Sequence, residues 1–160
     1  MMELDTEIRS ELTTELEGFF DDAGMESEAE VVALVLDGDM DEGGDVRVAG
    51  VPGAAIAGLA PIVIEWFLAL LGAFLEQLQK TSLEEGAKSL VGRVKEWLTG
   101  RAAKKKSLRR VDVSERIATI AEIARTLEAA GWPREAVEGA AKDLWERGER
   151  AARAVAKQKG

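Results

Sequence analysis

The spacing of apolar residues along the chain is mostly helical. At the N-terminus they recur about every four positions, and this predicts an amphipathic helix over residues 3–20. The same periodicity predicts helices over residues 83–98, 117–127 and 137–155. Ala-Ala-Gly-Trp-Pro separates the last two helices, and this stretch fits a helix stop at Gly131 and Pro133. The C-terminal part is therefore predicted to be a helical hairpin.

Two short segments are rich in valine and favour strands. Residues 31–36 form one run and residues 46–51 form the other, with a polar, glycine-containing turn between them, which predicts a β-hairpin. The predicted fold class is therefore α+β, predominantly α-helical. Its predicted regions are an acidic helix plus β-hairpin (1–50), an apolar central helix and an amphipathic helix (51–100), a basic link (101–113) and the helical hairpin (114–160), which together form one compact unit.

The most unusual segment is an apolar run from Val48 to Leu75, 28 residues in which Glu65 is the single charge. A helix from about Pro61 to Lys80 that is apolar on every face must be buried in protein or in lipid. We favour the core helix of a soluble bundle, wrapped by the four amphipathic helices. The alternative places residues 51–75 in a membrane, where a central carboxylate would cost about 2.5–3.5 kcal/mol.

A buried Glu65 needs a partner, because an unpaired carboxylate in a core is costly. Arg93 and Lys95 are the bases that we predict for this pairing.

The composition argues against catalysis. The chain contains no Cys and no His, which removes thiolate chemistry, the commonest general base and the commonest transition-metal ligand. It also contains no nucleotide-binding glycine loop, no hydrolase nucleophile motif and no zinc-protease motif. We therefore predict a protein without enzymatic activity, without a cofactor and with a cytoplasmic location, membrane association being the alternative.

The charge is divided unevenly between the two parts of the 160-residue chain. The net charge is −9, but residues 1–60 carry sixteen acids and two bases, whereas the remainder is basic. The basic link holds the densest positive cluster, and phosphate backbones or anionic lipid head groups both attract such clusters. A solvated connector that pairs with the acidic part is the simpler interpretation. The candidate anion-binding residues are Arg101, Lys104, Lys105, Lys106, Arg109 and Arg110.

Four Asp and one Glu lie within residues 37–45. A calcium loop of the EF-hand type needs a Gly at position 6 and a bidentate acid at position 12. Counted from Asp37, these positions hold Glu42 and Val48 instead. We therefore predict no dedicated metal site, and the weak candidate ligands are Asp37, Asp39, Asp41 and Asp45.

These patterns predict an assembly or adaptor protein that binds a protein partner or forms a homo-oligomer. Membrane association through residues 51–75 and residues 101–110 is the first alternative. Weak binding of nucleic-acid phosphates through residues 101–110 is the second, and the overall acidity makes nucleic acid an unlikely partner. The predicted interface lies on the apolar helix and comprises Glu65, Trp66, Phe67, Leu70 and Phe74.

Overall fold

The computed structural model describes residues 6–30, 32, 59–80, 85–105 and 111–157. The regular structure in these residues is helical throughout. The helices are α1 (Thr6–Asp22), α2 (Glu26–Ala29), α3 (Leu59–Gln79), α4 (Glu85–Lys105), α5 (Arg116–Ala129) and α6 (Val137–Lys157).

The predicted α+β fold class is wrong, because the described residues contain helices and no strand. Val32, which falls in the first predicted strand, is helical and fully buried. The rest of the predicted hairpin lies outside the described residues. The physical reason for the error is that a short apolar run fits a buried helix as well as a buried strand, and its periodicity does not separate the two.

The central apolar helix is confirmed as α3, and its buried residues are distributed around the helix rather than along one stripe. Helices α2, α4, α5 and α6 pack against it, whereas α1 packs mainly on α2 and α6. By length and composition α3 could also cross a membrane, although 61% of its most apolar window is buried inside the bundle.

Helix α6 also packs against four other helices, which are α1, α3, α4 and α5. Its buried stripe is rich in small residues, including Ala141, Gly148, Ala151 and Ala152. A Cβ atom at Gly148 would lie 2.9 Å from the Cβ atom of Leu70 on α3, which is closer than real side chains approach each other. The absence of a side chain at Gly148 therefore sets how closely the two long helices approach.

The N-terminus of α3 receives a cap from a distant helix. The carboxylate of Glu28 in α2 accepts a hydrogen bond of 3.0 Å from the backbone N–H of Ala60. A negative charge at this position satisfies one of the unpaired N–H groups of the first turn and complements the helix dipole. The short helix α2, which the sequence patterns did not predict, is thereby tied to the core.

Because the close approach of α3 and α6 depends on Gly148, we expect Gly148→Ala to destabilise the protein. Alanine is favoured over glycine inside helices by about 1 kcal/mol. Overpacking against Leu70 Cβ, which cannot move without the backbone, should outweigh this gain and leave a net loss of about 1–2 kcal/mol. Urea denaturation measures the change as a lower midpoint with an unchanged slope.

Gly139→Ala is the matched control, since Gly139 lies in the same helix and a Cβ atom there would have nothing within 4 Å. We expect no loss of stability from this variant. Equal effects of the two substitutions would contradict the packing argument.

Candidate protein-binding cleft

Helix α5 carries two apolar stripes. One lies in the core, and the other is only partly exposed, because its residues Ile120 and Ala124 pack against the core. The core stripe consists of Thr119, Ile123 and Leu127, which are buried. The second stripe consists of Ile117, Ile120, Ala121 and Ala124, spaced as i, i+3, i+4 and i+7 along the helix. Ile117 is 87% exposed, and it is the one large hydrophobic residue found exposed among the described residues.

This second stripe forms the floor of a cleft of about 610 Å³ between α5 and α6. Val137 of α6 also lines the cleft. Charged residues of both signs surround the apolar floor, in equal number. The basic ones are Arg125, Arg134 and Lys142, and the acidic ones are Glu128, Glu135 and Glu138.

The turn between α5 and α6 holds the two walls of the cleft at a fixed separation. Gly131 adopts a left-handed φ of 112°, and the backbone N–H of Trp132 donates to Leu127 O at 2.9 Å, as expected for a Schellman motif. The buried indole ring of Trp132 packs 5.3 Å from the ring of Phe19 on α1. The turn is therefore anchored in the core.

The N-terminus of α5 follows a hydrogen-bonded turn at residues 112–115. Asp112 Oδ1 accepts hydrogen bonds from the hydroxyl and the backbone N–H of Ser114, at 2.6 and 3.0 Å. These bonds favour the ionised carboxylate and hold the pKa of Asp112 below its usual value. Residues 111–113, the end of the predicted basic link, precede α5 without forming a strand, and residues 113–114 lie in the turn.

The helix α6 that forms one wall of the cleft is fixed to α1 by a cluster of ion pairs. The guanidinium of Arg147 lies 3.0 Å from Glu15 Oε1, 2.6 Å from Asp22 Oδ2 and 2.9 Å from Asp143 Oδ2. The side chains of Arg147 and Glu15 are only 11% and 10% exposed. Burial alone would lower the pKa of Arg147, but the hydrogen bond that it donates to Asp143 and the three negative charges raise the pKa above its ordinary value.

The predicted interface residues of α3 lie inside the single chain. Trp66, Phe67, Leu70 and Phe74 are buried, and Phe74 makes an edge-to-face contact with Trp145 of α6 at 5.1 Å. Their role in an interface between proteins stays a prediction. Because these four side chains are buried in the core, a charged substitution at any of them would unfold the chain and so could not report on association alone.

Glu65, the fifth predicted interface residue, is half-buried. Lys95, one of its two predicted partners, donates a hydrogen bond of 2.8 Å to Gln79 Oε1. The predicted pairing of Glu65 with Arg93 or Lys95 stays a prediction.

The predicted ion-binding residues lie largely outside the described part of the chain. Helix α4 continues to Lys105, so Arg101, Lys104 and Lys105 are helical rather than part of a link. The other three basic residues, Lys106, Arg109 and Arg110, are outside the described residues. The acidic candidates Asp37, Asp39, Asp41 and Asp45 are outside them as well. Among the residues that are described, no group of three or more His, Cys, Asp or Glu side chains could hold a metal ion.

Sequence reasoning missed the cleft because it assigned one apolar face to α5. Ile117, Ile120, Ala121, Ala124 and Leu127 were placed on one core-facing stripe, but Ile117 and Ala121 are exposed. A signal was present in the sequence, since Ile123 adds a second stripe and widens the apolar arc beyond what one helical neighbour covers.

In comparisons with protein-family models, curated proteins and solved structures, none matches this chain.

The ion cluster predicts different effects for two arginines that share one carboxylate. Arg147→Met keeps most of the aliphatic packing but leaves three carboxylates without their shared cation, and we expect a loss of about 2–4 kcal/mol. Arg150 also contacts Glu15, at 2.8 Å, but its side chain is 59% exposed. Arg150→Met should therefore cost less than about 1 kcal/mol. Urea denaturation measures both, and losses of similar size would show that the burial of Arg147 does not strengthen its ion pairs.

Proposed function

We propose that this protein is a non-enzymatic assembly or adaptor module that binds the apolar face of a polypeptide in the α5–α6 cleft. The single observation that carries the proposal is the second apolar stripe of α5, with Ile117 87% exposed. Isolated exposed hydrophobic residues are common on protein surfaces. An exposed isoleucine that continues a stripe of helical periodicity beside a formed cleft is the arrangement expected of a binding surface.

The spacing of the stripe favours a helical partner. Residues at i, i+3, i+4 and i+7 present a continuous surface to a second helix, which is how amphipathic helices dock into hydrophobic grooves. Two of the four positions are Ala121 and Ala124, whose small side chains allow a partner backbone to approach closely. The mixed charges around the cleft would orient the partner rather than supply most of its affinity.

The anchored walls of the cleft support the same proposal. Trp132 fixes the turn in the core, and Arg147 fixes α6 to α1. A binding surface that is already formed loses little conformational entropy when a partner docks.

The proposed function is tested by affinity capture from native cell extract with three baits. Ile117→Glu places a charge at the N-terminal end of the second stripe, at its most exposed residue, and should abolish capture of the specific partner. Because Ile117 is exposed, the substitution should leave the thermal midpoint of the protein unchanged. Capture that is insensitive to Ile117→Glu would contradict the proposal.

Ala118→Glu is the matched control. Ala118 is also exposed, but it lies about 100° further around the same helix and does not line the cleft. It introduces the same charge one residue away, so we expect capture equal to that of the wild-type bait.

A second candidate function is membrane association, and the observation that favours it is the hydropathy of α3. In this proposal the cytoplasmic protein would open and place α3 in lipid. It predicts flotation with anionic liposomes that weakens when Lys104, Lys105 and Lys106 are replaced by Glu. A protein of discrete mass in detergent-free buffer that does not float at any salt concentration would contradict it.

A further inference from the structure

We propose that α1 regulates the α5–α6 cleft, because the cleft keeps its shape only while α1 is docked on α6. This inference rests on the proposed function, since it concerns the control of the same cleft. Three features of α1 support it: the helices that α1 contacts, the charges that hold it, and the aromatic rings that it places against the turn before α6.

Helix α1 packs against a bundle whose other helices are held together without it. Helix α6 packs against α3, α4 and α5, and α3 also packs against α4 and α5. Helix α1, by contrast, packs mainly on α6 and on the short helix α2. Undocking of α1 and α2 would therefore leave the other four helices in contact, as in the local opening of weakly attached segments in native proteins.

The charges between α1 and α6 are arranged in one direction, with acids on α1 and cations on α6. Glu15 and Asp22 of α1 contact Arg147, and Glu15 also contacts Arg150. Helix α2 follows the same polarity, because its Glu28 caps the positive N-terminus of α3. Removing one of these negative charges should therefore loosen α1 without changing the apolar packing among the other helices.

Two aromatic rings near the C-terminus of α1 connect this attachment to the turn before α6. Phe19 follows Glu15 by one helical turn, and its ring centroid lies 5.3 Å from that of Trp132. The ring centroid of Phe20 lies 6.5 Å from the same indole. Trp132 is 3% exposed, so undocking of α1 would remove both phenyl rings from a side chain that is otherwise buried.

Trp132 lies where the two walls of the cleft are joined. Its backbone N–H donates to Leu127 O near the end of α5. The cleft residues Arg134, Glu135 and Val137 follow it directly in the chain. A movement of the indole would therefore change the separation of α5 and α6. The contacts from Glu15 through Phe19 to Trp132 form a continuous physical path from the ion cluster to the cleft.

Docking of α1 and binding in the cleft are therefore coupled. When α1 undocks, the turn loses its anchor, the two walls separate and a partner binds more weakly. A partner that contacts both walls stabilises the docked α1 in return, because coupling between two binding equilibria is reciprocal. Such coupling typically changes an affinity by about 5- to 150-fold.

The first test measures the separation of the cleft walls in the absence of any partner. The chain contains no Cys, so Ala121→Cys on α5 and Glu138→Cys on α6 place one spin label on each wall, at exposed positions. Pulsed electron–electron double resonance then gives the distribution of distances between the labels. We expect one narrow distribution in the otherwise unchanged chain. Phe19→Leu removes the ring that contacts Trp132 and should give a broader distribution that extends to longer distances.

Glu15→Gln loosens α1 by a second route, because it removes a charge from the ion cluster and keeps the aromatic contact. It should also broaden the distribution, so the test is decided even if Phe19→Leu does not fold. Val94→Ala is the control, since Val94 is fully buried in α4, which packs against α3 and α6. A distribution that Glu15→Gln leaves unchanged, or that Val94→Ala broadens equally, would overturn the proposal.

Hydrogen exchange followed by mass spectrometry shows whether α1 itself has been loosened. In Glu15→Gln we expect the backbone amides of α1 to exchange about tenfold faster, because hydrogen bonds to a charged group are replaced by weaker ones. The amides of α3 should keep their wild-type rates. Glu17→Gln is the matched control, since Glu17 lies on the same helix outside the ion cluster, and it should change neither. Faster exchange of α1 with unchanged label distances would show that α1 undocks without affecting the cleft, and would overturn the proposal.

Failure of this proposal and failure of the proposed function are distinguishable, because the label distances are measured without a partner. Unchanged distances together with Ile117-dependent capture would overturn the control by α1 and leave the proposed function standing. Capture that is indifferent to Ile117→Glu would overturn the proposed function, while broader distances would still show that α1 is coupled to the turn. Where both proposals hold, Glu15→Gln should lower capture by about fivefold or more, and Glu17→Gln should not.

Discussion

The contact between Gly148 and Leu70 determines how the rest of the bundle is arranged. The two helices approach so closely there that a Cβ atom at Gly148 would lie 2.9 Å from Leu70 Cβ. Close approach buries the large side chains of α3 against the alanines of α6, and dispersion contacts of this kind are strong only at short range. Because α6 also contacts α1, α4 and α5, its position relative to α3 sets the position of every helix around it.

Ion pairs between α1 and α6 add to the packing of α3 against α6. Helix α1 has a narrow apolar stripe, and it is joined to α6 by Arg147, whose guanidinium reaches Glu15, Asp22 and Asp143. Within this cluster Arg147 and Glu15 are nearly buried, whereas Asp22 is exposed. A nearly buried pair contributes little net stability, but an arrangement of the helices that separated Arg147 from Glu15 would leave two charges unpaired. A Cβ atom at Gly18 would lie 2.9 Å from Arg147 Nη1, so a side chain there would displace the guanidinium.

The position of the cleft depends on how α5 packs against the other helices. The helix turns Ile123 and Leu127 into the core and keeps Ile117 outside it, although all three are large aliphatic residues. Helical spacing places Ile117 about 240° around the helix from Ile123, but the shared chemistry of these residues does not show which side of the helix meets the core. The separation comes from the turn at Gly131 and Trp132, whose ring packs on Phe19 and thereby sets the rotation of α5 about its own axis. The apolar residues of α5 that the core leaves exposed form the proposed binding surface.

The sequence by itself determined the five long helices of the described part, because an apolar period of 3.6 residues and helix stops such as Ala-Ala-Gly-Trp-Pro are local signals. It also determined the small-residue stripe of α6, from Val137 to Val155, almost residue by residue. Tertiary structure decided the rest. Val32 became helical rather than extended, Glu28 became the cap of a helix 32 residues away, and Ile117 stayed exposed while Ile123 was buried. Each of these outcomes depends on which distant surface a residue meets. A local pattern states that an apolar or acidic side chain needs a partner, but it does not state where in the fold that partner lies.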